Sequence, residues 1–251
     1  MLKKILQLTG KNRNARNNIT LGIILAFIAG AINAGGFAIV GNYTSHVTGL
    51  MSNVAAHFAI NDYINAFLLL SYISCFVFGA TFTAVITLIA QRHHLNSQYA
   101  IALTLESLVI MAFSVIWIMY DIKIQYCIAT LSFLMGLQNA LITKASSAII
   151  RTTHISGMAT DLGIEIGKYL FLKKDSEANA NLIDAKRHMT IILSFLIGGI
   201  VGTISVSLIG IYTFFALATL LFSISMPTVF KDLTIHIKIF NHSKVKLKQP
   251  S

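Results

Sequence analysis

The chain has 251 residues, of which 55% are hydrophobic and 11% are charged. Soluble domains carry charges on about a quarter of their residues, so this composition excludes an ordinary soluble protein and indicates an integral membrane protein. The net charge of +10 does not indicate nucleic-acid binding, because the apolar segments leave no part of the chain that could form a nucleic-acid-binding fold. The basic residues concentrate in the two tails, where a topology signal and attraction to anionic lipid explain them.

Six segments approach or exceed the roughly 20 apolar residues that cross a hydrocarbon core of about 30 Å. They are Ile19–Val40, Ile64–Ala90, Tyr99–Tyr120, Tyr126–Ile142, Met189–Ile209 and Ile211–Met226. A span must satisfy its own backbone hydrogen bonds, so each is predicted to be a helix and the fold class to be all-α. The first segment is too long for the core of a cleaved leader.

The charge distribution predicts the topology of these spans. Basic residues mark the cytoplasmic side, so the tails, residues 1–18 and 229–251, are placed in the cytoplasm. With six spans, only Lys123 of the 19 Lys and Arg residues lies outside, and the polar linker Lys168–Arg187 stays inside. Eight full spans would place three basic residues outside, so six spans are preferred.

One phrase of the sequence occurs twice. Thr44–Val54 returns as Thr152–Leu162, and both copies contain Thr-x-His-x-[Ser/Thr]-Gly. Asn33 precedes the first copy and Asn139 the second, each within Gly-x-x-Asn-Ala. The sequence therefore predicts two related halves.

These halves are residues 19–120 and 124–228 of a single membrane domain spanning 1–251. Each has one span, one histidine-bearing segment and two further spans; because three is odd, the halves must be inverted. The histidine-bearing segments, about Tyr43–Ile60 and Arg151–Leu172, are predicted as re-entrant or half-depth helices, the first opening outward and the second inward. Secondary transporters share this architecture and bind solute near the membrane midplane. The alternative is an old duplication kept for helix packing.

The repeated polar residues are the predicted solute-binding set, because polar groups inside a membrane are costly unless they are used. They are His46, Thr48, Gly49, Asn53, His154, Ser156, Gly157 and Asp161. Each glycine permits a close backbone approach, and the imidazoles can donate, accept or relay protons. A structural role for both histidines is the competing interpretation.

Five further residues are predicted to support this set. His57 and Glu165 lie on nearly the same helical face as the histidine that begins each copy, so each half carries a polar stripe, formed by His46, Asn53 and His57 or by His154, Asp161 and Glu165. Glu165 and Asp161 share a face, which suits proton coupling or cation binding. Alternatively, Glu165 could pair with Lys168. The amides of Asn33 and Asn139 could bond across helices or contact the solute. Glu106 is an unpaired intramembrane carboxylate with no counterpart in the second half.

Other chemistries have weaker support. A metal site built from His46, His57, His154, Asp161 and Glu165 is an alternative, but the sequence has neither His-Glu-x-x-His nor a phosphate-binding glycine loop. We therefore expect no enzymatic activity, no cofactor and no resident metal. Cys75 and Cys127 lie within spans and are predicted to be packing residues.

Gly30-x-x-Asn-Ala34, Thr44–Gly49, Gly136–Ala140 and Arg151–Gly157 resemble the YoaK-like family, bacterial inner-membrane proteins with a domain of unknown function and about six spans. The resemblance covers nearly the whole chain. The family commonly has Asn directly after the first Thr-Gly, where this chain has Leu50. The resemblance implies a bacterial inner membrane and supplies no substrate.

The leading hypothesis is a small secondary transporter or channel-like permease, with one half rocking against the other and with proton coupling through the histidines or Asp161. The alternative is a non-transporting membrane scaffold or sensor, in which the polar stripes join helices. The expected partners are the lipid bilayer, a small-molecule or ion substrate and a second copy in a homo-oligomer, with no nucleic acid.

Overall fold

A computed structural model of the protein describes residues 2–11, 13–146, 152–171 and 176–246. Over these ranges the chain forms nine α-helices and no strand, which confirms the all-α fold class. The helices are α1 Leu2–Thr9, α2 Ala15–Val40, α3 Val47–Ala59, α4 Tyr63–Arg92, α5 Ala100–Met119, α6 Ile124–Ala145, α7 Ile155–Phe171, α8 Ser176–Ile209 and α9 Tyr212–Lys246.

Six of these helices, α2, α4, α5, α6, α8 and α9, are long and apolar enough to cross a membrane. They coincide with the six predicted spans, but two of them extend further. α8 begins at Ser176, so much of the predicted linker Lys168–Arg187 is helical. α9 continues through Pro227 to Lys246, so the carboxy-terminal tail prolongs the last span as helix.

The two histidine-bearing segments form the short helices α3 and α7. α3 has 13 residues and α7 has 17, which give lengths of about 20 and 26 Å. α3 packs on α4 and α7 on α8, so each short helix lies against the span that follows it. Arg151 and Leu172, the ends of the second predicted segment, lie outside the described residues.

The most extensive helix packing joins the two halves of the sequence: α2 packs on α8, and α4 packs on α6. Each of these helices carries Phe-x-x-Gly, and an added Cβ at its glycine would collide with a phenylalanine carbonyl oxygen on the facing helix. The pairs are Gly30 with Phe195, Gly198 with Phe27, Gly79 with Phe133 and Gly136 with Phe76. Small residues of this kind let helix backbones approach closely. The two contacts are equivalent under exchange of the halves.

The amino-terminal segment joins several helix ends at one end of the bundle. Arg13 donates a hydrogen bond of 3.0 Å to the carbonyl of Ala145, the last residue of α6, and its guanidinium lies 4.2 Å from the centre of the Tyr99 ring. The Thr9 and Thr228 hydroxyls are hydrogen-bonded at 2.7 Å, which ties α1 to α9. The loop containing Lys123 lies at the other end of α6.

Candidate functional site

A cavity of about 1150 Å³ lies between α2, α3, α4, α6, α7 and α8. Both copies of the repeated phrase contribute to its wall. The predicted residues in the wall are Asn33, His46, Thr48, Asn139, His154 and Ser156. The fold therefore brings the two copies, which are about a hundred residues apart in the sequence, to one place.

The cavity lies near mid-height in the bundle. Phe76 and Phe195 line it, and each lies near the middle of its candidate span, Tyr63–Arg92 or Ala180–Ile209. α3 reaches this level from the end where α4 begins, and α7 reaches it from the end where α8 begins. The first turns of the two short helices thus meet the cavity from opposite directions.

The two copies present the same pattern of burial. In each, the first threonine is buried, the histidine and the hydroxyl residue two places later are exposed, and the next apolar anchor is buried. The anchors are Leu50 and Met158, with exposures of 5% and 3%. Their burial fixes the first turn of α3 and α7 to the core, so the polar residues between face the cavity.

The glycine of each copy makes room for its own histidine. A Cβ at Gly49 would collide with the His46 ring, and a Cβ at Gly157 would collide with the His154 ring. Each imidazole therefore lies against the first turn of the helix that it precedes. The sequence predicted a close backbone approach at these glycines, whereas the group that lies against each glycine is the histidine side chain.

The two asparagines hold the chain just before the histidines. The Ser45 N–H donates to Asn33 Oδ1 at 3.1 Å, and the Thr153 N–H donates to Asn139 Oδ1 at 3.4 Å. The Asn139 side chain also donates to the Thr153 hydroxyl. Both asparagines therefore combine a structural bond with a place in the cavity wall.

The downstream part of the first stripe leaves the cavity. Asn53 is exposed on α3, and His57 Nδ1 lies 2.9 Å from Asp62 Oδ2 at the start of α4. Asp62 also accepts hydrogen bonds from the Asn65 side chain at 2.7 Å and the Asn65 backbone at 3.3 Å. These bonds, followed by the contact with His57, hold the pKa of Asp62 below its usual value.

The downstream part of the second stripe lines a separate pocket of about 470 Å³ between α7 and α8. Glu165 Oε2 lies 3.0 Å from His188 Nδ1, so its partner is a histidine of α8 and not Lys168, the alternative that the sequence offered. Asp161 is exposed and also lines this pocket. Each short helix is therefore joined to the following span by a histidine–carboxylate pair.

Glu106 lies outside the cavity, fully buried in α5. Neither of its carboxylate oxygens has a hydrogen-bond partner within the described part of the chain. Of the five residues of the alternative metal site, two line the cavity, two lie in the histidine–carboxylate pairs, and Asp161 lines the separate pocket. Within the ranges that the structure describes, no group of three His, Cys, Asp or Glu side chains is placed to hold a metal ion.

Several wall residues were missed by the sequence reasoning. They are Tyr43, Ser45, Phe76, Lys144, Thr153 and Phe195. Phe76 and Phe195 carry a usable signal, because Phe-x-x-Gly occurs once in each of the four helices that pair across the halves. Lys144 was assigned only to topology, although it lies one helical turn after Ala140 of the Gly-x-x-Asn-Ala motif.

Comparison with known families gives one match, to the family described as "Protein of unknown function (DUF1275)", over residues 21–226. The chain belongs to the DUF1275 family. The family match extends from α2 into α9 and includes every residue of the cavity wall. No curated protein and no solved structure matched the chain.

Membership of the DUF1275 family is consistent with the YoaK-like resemblance. The family description names no activity, so the chemistry of the cavity is the basis for inferring a function.

Proposed function

We propose that the protein is a secondary transporter or channel-like permease for a small polar solute. One observation carries this proposal: both copies of Thr-x-His-x-[Ser/Thr]-Gly line one cavity near the middle of the spans. Transporters built from inverted repeats bind solute at this height, between the repeats. His46 and His154 would contact the solute, together with the hydroxyls of Thr48 and Ser156.

The helix packing favours a particular moving unit. α2, α7 and α8 pack in one bundle, and α3, α4 and α6 pack in another, so each bundle takes helices from both halves of the sequence. The cavity lies between these bundles. Rocking of one mixed bundle against the other would expose the cavity alternately, whereas rocking of the sequence halves would break the glycine contacts.

Any proton coupling would use the histidines of the cavity. A neutral imidazole can take up a proton near physiological pH, and both imidazoles are exposed to the cavity. Asp161, the other expected proton carrier, lies in the separate pocket. His46 and His154 are therefore the better-placed pair.

We infer a bacterial inner membrane with both termini in the cytoplasm. The contacts of Arg13 and Thr9 gather the amino-terminal tail, the end of α6 and the later part of the candidate span Tyr212–Ile235 in α9 at one end of the bundle. That end carries most of the basic residues, which mark the cytoplasmic side. Cysteine labelling from outside should therefore reach position 123 and should not reach position 11.

The test of transport is solute flux in proteoliposomes, measured by light scattering after an osmotic shift. The probes are glycerol, urea, alanine and potassium salts with valinomycin. At least one solute should cross faster than in protein-free vesicles, and His154→Ala should abolish that flux while the protein still inserts and keeps the wild-type melting temperature. His93→Ala, in an exposed loop, is the matched control and should be fully active.

Two results would contradict the proposal. One is a folded protein that moves none of these solutes, and the other is a fully active His154→Ala variant. A loss of thermal stability on replacing the histidines, without any flux to lose, would favour the scaffold or sensor hypothesis.

A further inference from the structure

The described wall of the cavity carries three basic side chains and no carboxylate. Lys144 lines the cavity with His46 and His154, and no Asp or Glu is among the described residues of the wall. Lys144 Nζ lies 3.5 Å from the Ala84 carbonyl oxygen, and no carboxylate of the described chain lies within ion-pair distance of it. Among the residues that the structure describes, the cavity wall therefore has a lysine and no carboxylate to balance it.

A lysine in the last turn of α6 has a structural explanation, because a cation there interacts favourably with the helix dipole and marks the cytoplasmic side. That explanation accounts for the position of Lys144 in the sequence. It does not require the side chain to form the wall of a cavity shared with two histidines. No carboxylate of the described chain pairs with Lys144, so an anion in the cavity would be its counter-charge.

The two short helices add positive potential to the same cavity. The amides in the first turn of a helix have no acceptor within the helix, and that end carries a partial positive charge. His46 precedes α3 without capping it through a side-chain hydrogen bond, and the residues Val47 and Thr48 line the cavity. Ile155 and Ser156 line it at the start of α7.

We propose that the cavity accepts a small anion. The anion would be held by Lys144 and by the hydroxyls of Thr48 and Ser156 at the starts of α3 and α7. A cation would meet the lysine and two positive helix ends with no carboxylate to balance them. This inference rests on the proposed permease function and specifies its substrate class.

The experiment measures swelling of proteoliposomes in iso-osmotic potassium chloride, nitrate, formate and lactate, with valinomycin carrying potassium so that the anion limits the rate. We expect at least one anion to enter about tenfold faster than in protein-free vesicles, and Lys144→Gln to remove that gain. Lys144→Arg should retain it because the charge remains. Lys168→Gln, an exposed lysine of α7 outside this cavity, is the matched control and should match the wild type.

Each outcome has a defined meaning when every variant is also shown to keep the wild-type melting temperature in detergent. Influx of glycerol, urea or alanine without influx of any anion would overturn the anion assignment and leave the permease proposal standing. Anion influx that Lys144→Gln does not change would also overturn it. Failure of every solute to cross would overturn both proposals.

Discussion

Asn33 Oδ1 accepts a hydrogen bond of 3.1 Å from the backbone N–H of Ser45, and this bond fixes the residue before His46 to helix α2. Asn139 makes the equivalent bond to Thr153, the residue before His154. The Gly-x-x-Asn-Ala and Thr-x-His-x-[Ser/Thr]-Gly motifs of each half are thus parts of one local structure.

Removing either asparagine should destabilise the protein. Asn33→Ala and Asn139→Ala each leave a backbone N–H in a partly buried position without its acceptor, which costs about 1–3 kcal/mol. Thermal unfolding of the purified protein in detergent measures this loss. Asn53→Ala, at an exposed position on α3, should melt like the wild type; equal melting of all three variants would contradict the assigned bonds.

Gly157→Ala should displace the His154 ring, because the added Cβ would occupy the place of the imidazole. We expect solute flux to be lost while the helix is retained, since alanine favours a helix over glycine by about 1 kcal/mol. Gly163→Ala lies on the same helix with nothing within 4 Å of its Cβ and should keep full flux. Gly49→Ala should repeat the Gly157→Ala effect in the first half.

Gly136→Ala should loosen the packing of α4 on α6, because its Cβ would collide with the carbonyl oxygen of Phe76. Overpacking of this kind typically costs about 1–3 kcal/mol, and it should lower both the melting temperature and the yield of membrane-inserted protein. Gly167→Ala, which has open space around its Cβ, provides the comparison. If the two alanine variants proved equally stable, the close helix approach would be wrong.

The link between α3 and α4 should depend on pH through Asp62. Because hydrogen bonds from Asn65 hold its folded-state pKa below the usual 3.8, the ionised carboxylate stabilises the folded protein at neutral pH. That contribution is lost as the pH falls through the folded-state pKa. Asp62→Asn should therefore melt below the wild type at neutral pH, and the difference should shrink as the pH falls through the folded-state pKa; a constant difference would argue against this role.

The span positions were predictable because composition and length decide which segments can cross a membrane. The correspondence of the two histidine motifs was also predictable, since the sequences Thr44–Val54 and Thr152–Leu162 are visibly similar. The partner of each helix was not predictable from hydropathy, which is similar in all spans. The four Phe-x-x-Gly sequences contain that information, but only contacts between helices show that they face one another.

The reach of the polar stripes could not be predicted from helical spacing alone. Asn53 and Asp161 were placed with the histidines because a seven-residue offset returns to nearly the same helical face. That offset also moves a residue about 10 Å along the axis, and both short helices meet the cavity with their first turns. The helices therefore carry Asn53 and Asp161 away from the cavity, toward opposite ends of the bundle. His57 and Glu165 lie further still in the same directions.

The crossed packing of α2 on α8 and of α4 on α6 limits what one half of this protein can do alone. Each half contains one partner of both contacts, so a separately made half would expose two glycine-lined helix faces. Only a second copy inserted in the opposite direction could cover both faces. A separately expressed half is therefore expected to be unstable in the membrane unless it inserts in both orientations and pairs with a second copy of itself.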